Sequence, residues 1–150
     1  LLLISNNSDG ILKNFYFYKQ SSKEPIRIAP WDYDHSFGRD GDNEMNLKNY
    51  LNVKRSILFN RLLQFDWYKK QLKERWIELN KEGVLNLKGL RKRILKKSKM
   101  IQRHAEKNFE KWPVNSKDYY DANDFEQEIE LMLNFIKERH ISIVNYFGSI

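Results

Sequence analysis

Two short stretches near the start of the chain hold the residue types that could do chemistry. The first is Asn7-Ser8-Asp9-Gly10-Ile11-Leu12-Lys13-Asn14, and the second is Pro30-Trp31-Asp32-Tyr33-Asp34. Asn14 follows Asp9 by five residues, and a run that reads as a β-hairpin separates both from Asp32. Phosphoryl transfer uses such a set: one carboxylate faces the acceptor hydroxyl, while an Asn and a second carboxylate hold metal ions on the nucleotide phosphates. The chemistry needs little covalent help, only in-line positioning and neutralisation of phosphate charge. Mg²⁺ suits these groups, because it is a hard ion held by one or two carboxylates plus phosphate oxygens. The hairpin turns the 18-residue separation of Asn14 and Asp32 into proximity.

Each residue also has an ordinary reading. Asp9 in Ser-Asp-Gly is a common turn residue, Asn14 can cap a strand, and Asp32 can satisfy loop amides. Asp34 either assists metal binding or hydrogen-bonds its own loop. Asp32-Tyr33-Asp34 also fits the Asp-x-Asp pattern of nucleotide-sugar glycosyltransferases, but the doubly wound α/β pattern those enzymes need is missing. His35 adjoins the cluster as a structural hydrogen-bonding residue or a general base. Arg39 could contact phosphate or pair with Asp40 or Asp42. No His-x₃-His spacing exists, which argues against a zinc site.

Taken together, Asn7-Ser8-Asp9-Gly10, Asn14-Phe15 and the run from Pro30 to Gly38 resemble the CotH kinase family, the spore coat protein H type of atypical protein kinase. The resemblance is specific over residues 5–40 and general beyond them. It implies a kinase-like fold, ATP as co-substrate, Mg²⁺, and transfer to Ser or Thr of a protein substrate. It also implies that Asp9 is the catalytic aspartate, that Asn14 and Asp32 bind metal and nucleotide, and that Asp34 assists the metal. A bacterial source with spore coat or cell-surface association follows from the same likeness. No His-Arg precedes Asp9, and Tyr33-Asp34 stands where ordinary protein kinases have Phe-Gly; the atypical family shares both departures.

These residues need elements to position them. Residues 1–6 read as the end of a helix, followed by a loop through Ser8-Asp9-Gly10. Phe15-Tyr16-Phe17-Tyr18 has strand propensity, Gln20 to Pro25 reads as a turn, and Ile26-Arg27-Ile28-Ala29 alternates as the returning strand. Pro30, which has no N–H, is expected to end the pairing. Gly38 to Asn49 reads as an irregular loop. From Lys54 the period becomes helical: Ile57, Leu58, Arg61, Leu62 and Phe65 mark one helix. Asp66 is the expected N-cap of a second, which carries Tyr68, Leu72, Trp76 and Leu79 and stops at Gly83. Asn86 caps a long third helix that ends near Trp112-Pro113. A fourth runs over about 123–147 with Phe125, Ile129, Met132, Ile136, Ile143 and Phe147 on one face. Trp67, Trp76 and Trp112 read as packing residues. The expected fold is mainly α (α+β): a hairpin in residues 1–40 packed on about four helices in residues 54–147 of a single domain.

At 150 residues and 41% hydrophobic content, the chain can build one core. The start Leu1-Leu2-Leu3-Ile4, without methionine, reads as a cut inside a buried helix. With no Gly-rich phosphate loop or Lys–Glu pair before Asp9, the expectation is a C-terminal lobe lacking its N-terminal lobe, with weak or no nucleotide binding alone. Cysteine is absent, which excludes disulfides, thiolate metal sites and a cysteine nucleophile. The opening apolar run is too short for a signal peptide or a membrane span. The net charge of +7 is local: Lys88 to Lys111 holds ten Lys or Arg against Glu106 and Glu110. Such a helix reads first as a solvated face and next as a dock for an acidic substrate or partner, with nucleic acid last. The dock supports an alternative reading, a non-catalytic interaction domain using helix 88–111.

Overall fold

The structure, a computed structural model, describes residues 1–7, 9–39, 57–113 and 123–149. Leu2–Ser5 form a single helical turn, α1, closed by Asn6 in the left-handed region at φ 50°, a conformation Asn tolerates better than most residues. Asp9–Leu12 form a second short turn, α2. The expected loop at Asp9 is therefore corrected to helix. The reason is local: Asn7 Oδ1 accepts the N–H of Gly10, three residues on, as a helix N-cap does.

Strands β1 (Phe15–Tyr18) and β2 (Arg27–Pro30) pair antiparallel, with Phe15 opposite Pro30 and Tyr18 opposite Arg27. Pro30 does not end the pairing. Trp31 N–H donates to Asn14 O at 3.0 Å, so the 15–30 rung is an unbonded one, where a missing N–H costs nothing. The hairpin is also less packed than its sequence suggests. Tyr16 is 63% exposed and Phe17 55%. Stabilisation comes partly from its own rings, Phe15 on Phe17 at 5.2 Å and Tyr16 on Trp31 at 6.4 Å.

Among the described residues four helices follow: α3 (Ile57–Leu62), α4 (Asp66–Lys81), α5 (Leu87–Lys111) and α6 (Phe125–Gly148). Phe65 falls outside α3 and takes the cap position of α4, so Asp66 is the first helical residue rather than the cap. Its carboxylate meets Lys69 Nζ at 2.9 Å, which holds it below the usual carboxylate range. Asn86 caps α5 by accepting the Gly89 N–H at 2.7 Å. Asp124 caps α6 in a reciprocal pair with Gln127, at 2.8 and 2.9 Å. Residues 40–49 of the expected loop, and 54–56 of the expected first helix, lie outside the described residues.

The core forms around α6. Phe135, Ile136, Ile143 and Phe147 recur at helical spacing and meet Ile4 of α1, Trp76 of α4 and Leu90 of α5. Only one of the three tryptophans singled out as packing residues is in the core: Trp76 is buried, while Trp67 and Trp112 lie open. Trp112 instead carries the Lys111 ammonium 4.4 Å above its ring. His140 packs against Trp76 at 5.2 Å, and its Nε2 lies 2.8 Å from Asn80 Oδ1. Burial there pushes the imidazole pKa down.

Candidate active site

Three of the four expected site residues converge through backbone atoms. Asn14 N–H donates to Asp9 O at 2.9 Å. Its side-chain Nδ2 donates to Asp32 O at 3.2 Å, joining residues 18 apart in sequence. Asn7 Nδ2 reaches the same carbonyl at 3.4 Å. Two amide side chains thus grip one carbonyl, and Asp9, Asn14 and Asp32 are tied into a single junction.

Asn7 belongs to the first acidic stretch, and its residue type alone assigns it no role. The structure places it fully buried, with its oxygen on Gly10 and its nitrogen on Asp32. It caps α2 and clamps the second acidic segment at once. Its signal in the sequence is the spacing Asn-x-x-Gly, a cap followed by its N–H donor. Gly10 has its own constraint. A Cβ there would lie 2.9 Å from Tyr33 Oη and 3.0 Å from Leu2 Cδ2, so glycine leaves room for side-chain ends that a larger residue would push aside.

Asp32 has φ 54°, a left-handed conformation that costs on the order of 1–3 kcal/mol for a non-glycine residue. The two bonds to its carbonyl hold that kink, and its carboxyl is left at the surface. Asp34 is exposed beside it. The His35 N–H, 2.9 Å from Asp34 Oδ1, is the main reason that carboxyl sits below the usual carboxylate range. The His35 ring, whose Nε2 is 3.6 Å away, and a hydrogen bond shared with Asp32 act in the same direction. Asp9 is half-buried and pairs with Lys13 Nζ at 3.1 Å. The sequence signal for Lys13 is its position four residues after Asp9, which a helical turn makes a neighbour.

The loop beyond the cluster is bolted to α6. Ser36 is buried and its hydroxyl donates to Tyr33 O at 2.6 Å. Phe37, at φ 57°, donates its N–H to Ser5 O at 2.7 Å. Gly38, at φ 90°, lies so close to Leu131 and Phe135 that a Cβ would come within 2.9 Å of the Phe135 ring. Arg39 pairs with Glu128 of α6, while its expected partners Asp40 and Asp42 lie outside the described residues. From the other side, Arg139 of α6 is wholly buried, donating to Leu3 O at 2.7 Å and Asn6 Oδ1 at 3.3 Å. Nothing in the local pattern marks Arg139, which occupies a core position of an apolar stripe.

The donor set suits a hard divalent cation bound together with phosphate. Asp32 and Asp34 present neighbouring carboxyls to solvent, and Asn14 keeps Oδ1 as an acceptor while its nitrogen is engaged. No group of three acidic, His or Cys side chains able to hold a metal occurs among the described residues. No helix among the described residues is long and apolar enough to cross a membrane.

Comparison with known proteins bears on the same residues. The chain is 24% identical over 153 aligned residues to the inner spore coat protein H of Bacillus subtilis (strain 168). That alignment covers 95% of this chain and 39% of the relative, so the chain spans about two fifths of that protein's length. No solved structure matches. The family model described as CotH kinase protein matches residues 2–143, a span that holds both acidic stretches and most of α6. The chain belongs to the CotH kinase family.

Proposed function

We propose that this chain carries the catalytic-loop part of an atypical protein kinase, transferring phosphate from ATP to Ser or Thr of a protein substrate with Mg²⁺. The observation that carries this reading is the junction at the Asp32 carbonyl, where Asn7 and Asn14 bring the second acidic segment to the first. Membership of the CotH kinase family supports it. The name of the Bacillus subtilis relative supports a place in the spore coat.

In this reading Asp9 accepts the proton of the substrate hydroxyl as its oxygen bonds to the γ-phosphorus and ADP leaves. Lys13, paired with Asp9 at 3.1 Å, holds that carboxylate in its direction. Asn14 and Asp32, with Asp34 assisting, would hold Mg²⁺, which neutralises charge on the phosphates when bound. The kink at Asp32 serves to turn its carboxyl out of the hairpin. Grip on the nucleotide itself is assigned to a lobe outside these residues, and the 150-residue chain alone should bind Mg²⁺-ATP weakly.

The test is transfer of labelled phosphate from ATP to protein by the full-length protein, wild type against Asp9→Asn and Asp32→Asn. Each change should lower transfer by at least about a hundredfold. Wild-type transfer by either variant would overturn the role assigned to that residue.

A further inference from the structure

The longest helix, α5, carries an ordered line of charge. Lys88, Lys92, Lys96, Lys99, Arg103 and Lys107 are all exposed. At 3.6 residues per turn they fall within about 100° of arc and form a straight ridge about 28 Å long. The opposite side of the same helix holds Leu87, Leu90 and Ile94, which pack in the core. The ridge therefore faces away from the protein body.

Its neighbours make this face unusual. On α4 the surface cations have nearby acids: Lys69 with Asp66 at 2.9 Å, Arg75 with Glu78 at 2.5 Å, and Lys70 with Glu74 at 4.0 Å. On α5 every successive ridge pair is like-charged at a spacing of three or four, which weakens a helix. Among the described residues none of the six is held in an ion pair. The acids of the helix, Glu106 and Glu110, come only near its end. A face that only had to be solvated could carry mixed charge without this repulsion.

We infer that the ridge docks an extended, acidic polypeptide segment. Successive ridge cations are about 4.5–6 Å apart along the axis. An extended chain presents every second side chain on one face at about 6.6 Å, so alternating Asp or Glu follows the line closely. About nine residues would cover it. Other polyanions fit less well. Single-stranded nucleic acid is bound with aromatic stacking platforms, and the ridge has none. A duplex offers its phosphates along winding strands, which a straight line meets at few points. An interfacial membrane helix turns its apolar face to the lipid, whereas here Leu90 and Ile94 are used in the core. The inference concerns α5 alone and does not depend on phosphoryl transfer.

The test uses the chain as it stands and a fluorescent peptide of alternating Glu and Thr, about ten residues long, followed by anisotropy at about 0.1 M salt. Binding should be measurable and should weaken as salt rises. The triple change Lys92→Glu, Lys96→Glu and Lys99→Glu should weaken it at least about tenfold. The same three positions changed to Gln should give an intermediate loss. Equal charge reversal elsewhere, at Lys70, Lys81 and Lys137, should change affinity by less than about threefold. Circular dichroism should show both ridge variants folded, since they relieve repulsion. The inference is overturned by absence of peptide binding, by equal loss in the off-ridge control, or by tighter binding of an oligonucleotide or phosphatidylglycerol vesicle than of the peptide.

Discussion

The junction under the candidate active site and the acidic edge above it are adjacent in sequence and opposite in construction. Ser5, Asn6, Asn7 and Gly10 are buried, and the side chains of Asn7 and Arg139 are committed to backbone or amide partners at set distances. Asp32, Asp34 and His35 lie at the surface. Asp32 is positioned through its carbonyl, which Asn7 and Asn14 grip, and not through its carboxyl. The chemistry-bearing atoms are thus separated from the atoms that hold the fold. A carboxyl carried this way can meet a cation or phosphate without unmaking the scaffold beneath it.

That contrast can be broken most sharply at Arg139. Arg139→Met should keep the bulk but leave Leu3 O and Asn6 Oδ1 buried without their guanidinium, costing about 3 kcal/mol in urea unfolding. A cost below about 1 kcal/mol would mean that α6 does not anchor the junction. Asn7→Ala removes the cap on α2 and one of the two bonds to Asp32 O, and should cost about 1–2 kcal/mol in the same measurement. Asn7→Asp keeps the acceptor for Gly10 but turns a buried carboxylate oxygen on the Asp32 carbonyl, so it should cost at least as much as Asn7→Ala. The smallest effect belongs to the exposed edge. Asp32→Asn and Asp34→Asn should each leave unfolding stability within about 0.5 kcal/mol of wild type. If either destabilised the protein as much as Asn7→Ala, the division into scaffold and edge would fail.

Much of the local structure was legible from residue order. The aromatic run Phe15–Tyr18, the Gln20–Pro25 turn, the Asn86 cap and the stop at Gly83 are short-range signals, and each acts within a few residues of itself. Other expectations failed where a neighbour changed the outcome. Asp66 is the first helical residue, its carboxylate paired with Lys69, and Phe65 takes the cap position. Ser8-Asp9-Gly10 reads as a turn in isolation, yet Asn7 supplies the missing N-terminal acceptor and Asp9–Leu12 becomes helical. Trp67 and Trp112 have helical spacing but no core beside them, so hydrophobicity alone misplaced them.

The sequence by itself determined which residues could do chemistry, because Asp9, Asn14 and Asp32 carry their oxygens wherever the backbone goes. It also determined the hairpin that links them, since strand propensity and turn residues act locally. Only the tertiary structure decided how the two acidic segments meet. That meeting rests on Asn7 and Asn14 sharing one carbonyl, and on Arg139 reaching from α6 to α1 across 133 residues to Asn6. A buried guanidinium is stable only where several distant acceptors converge on it, and no local pattern of sequence records that convergence.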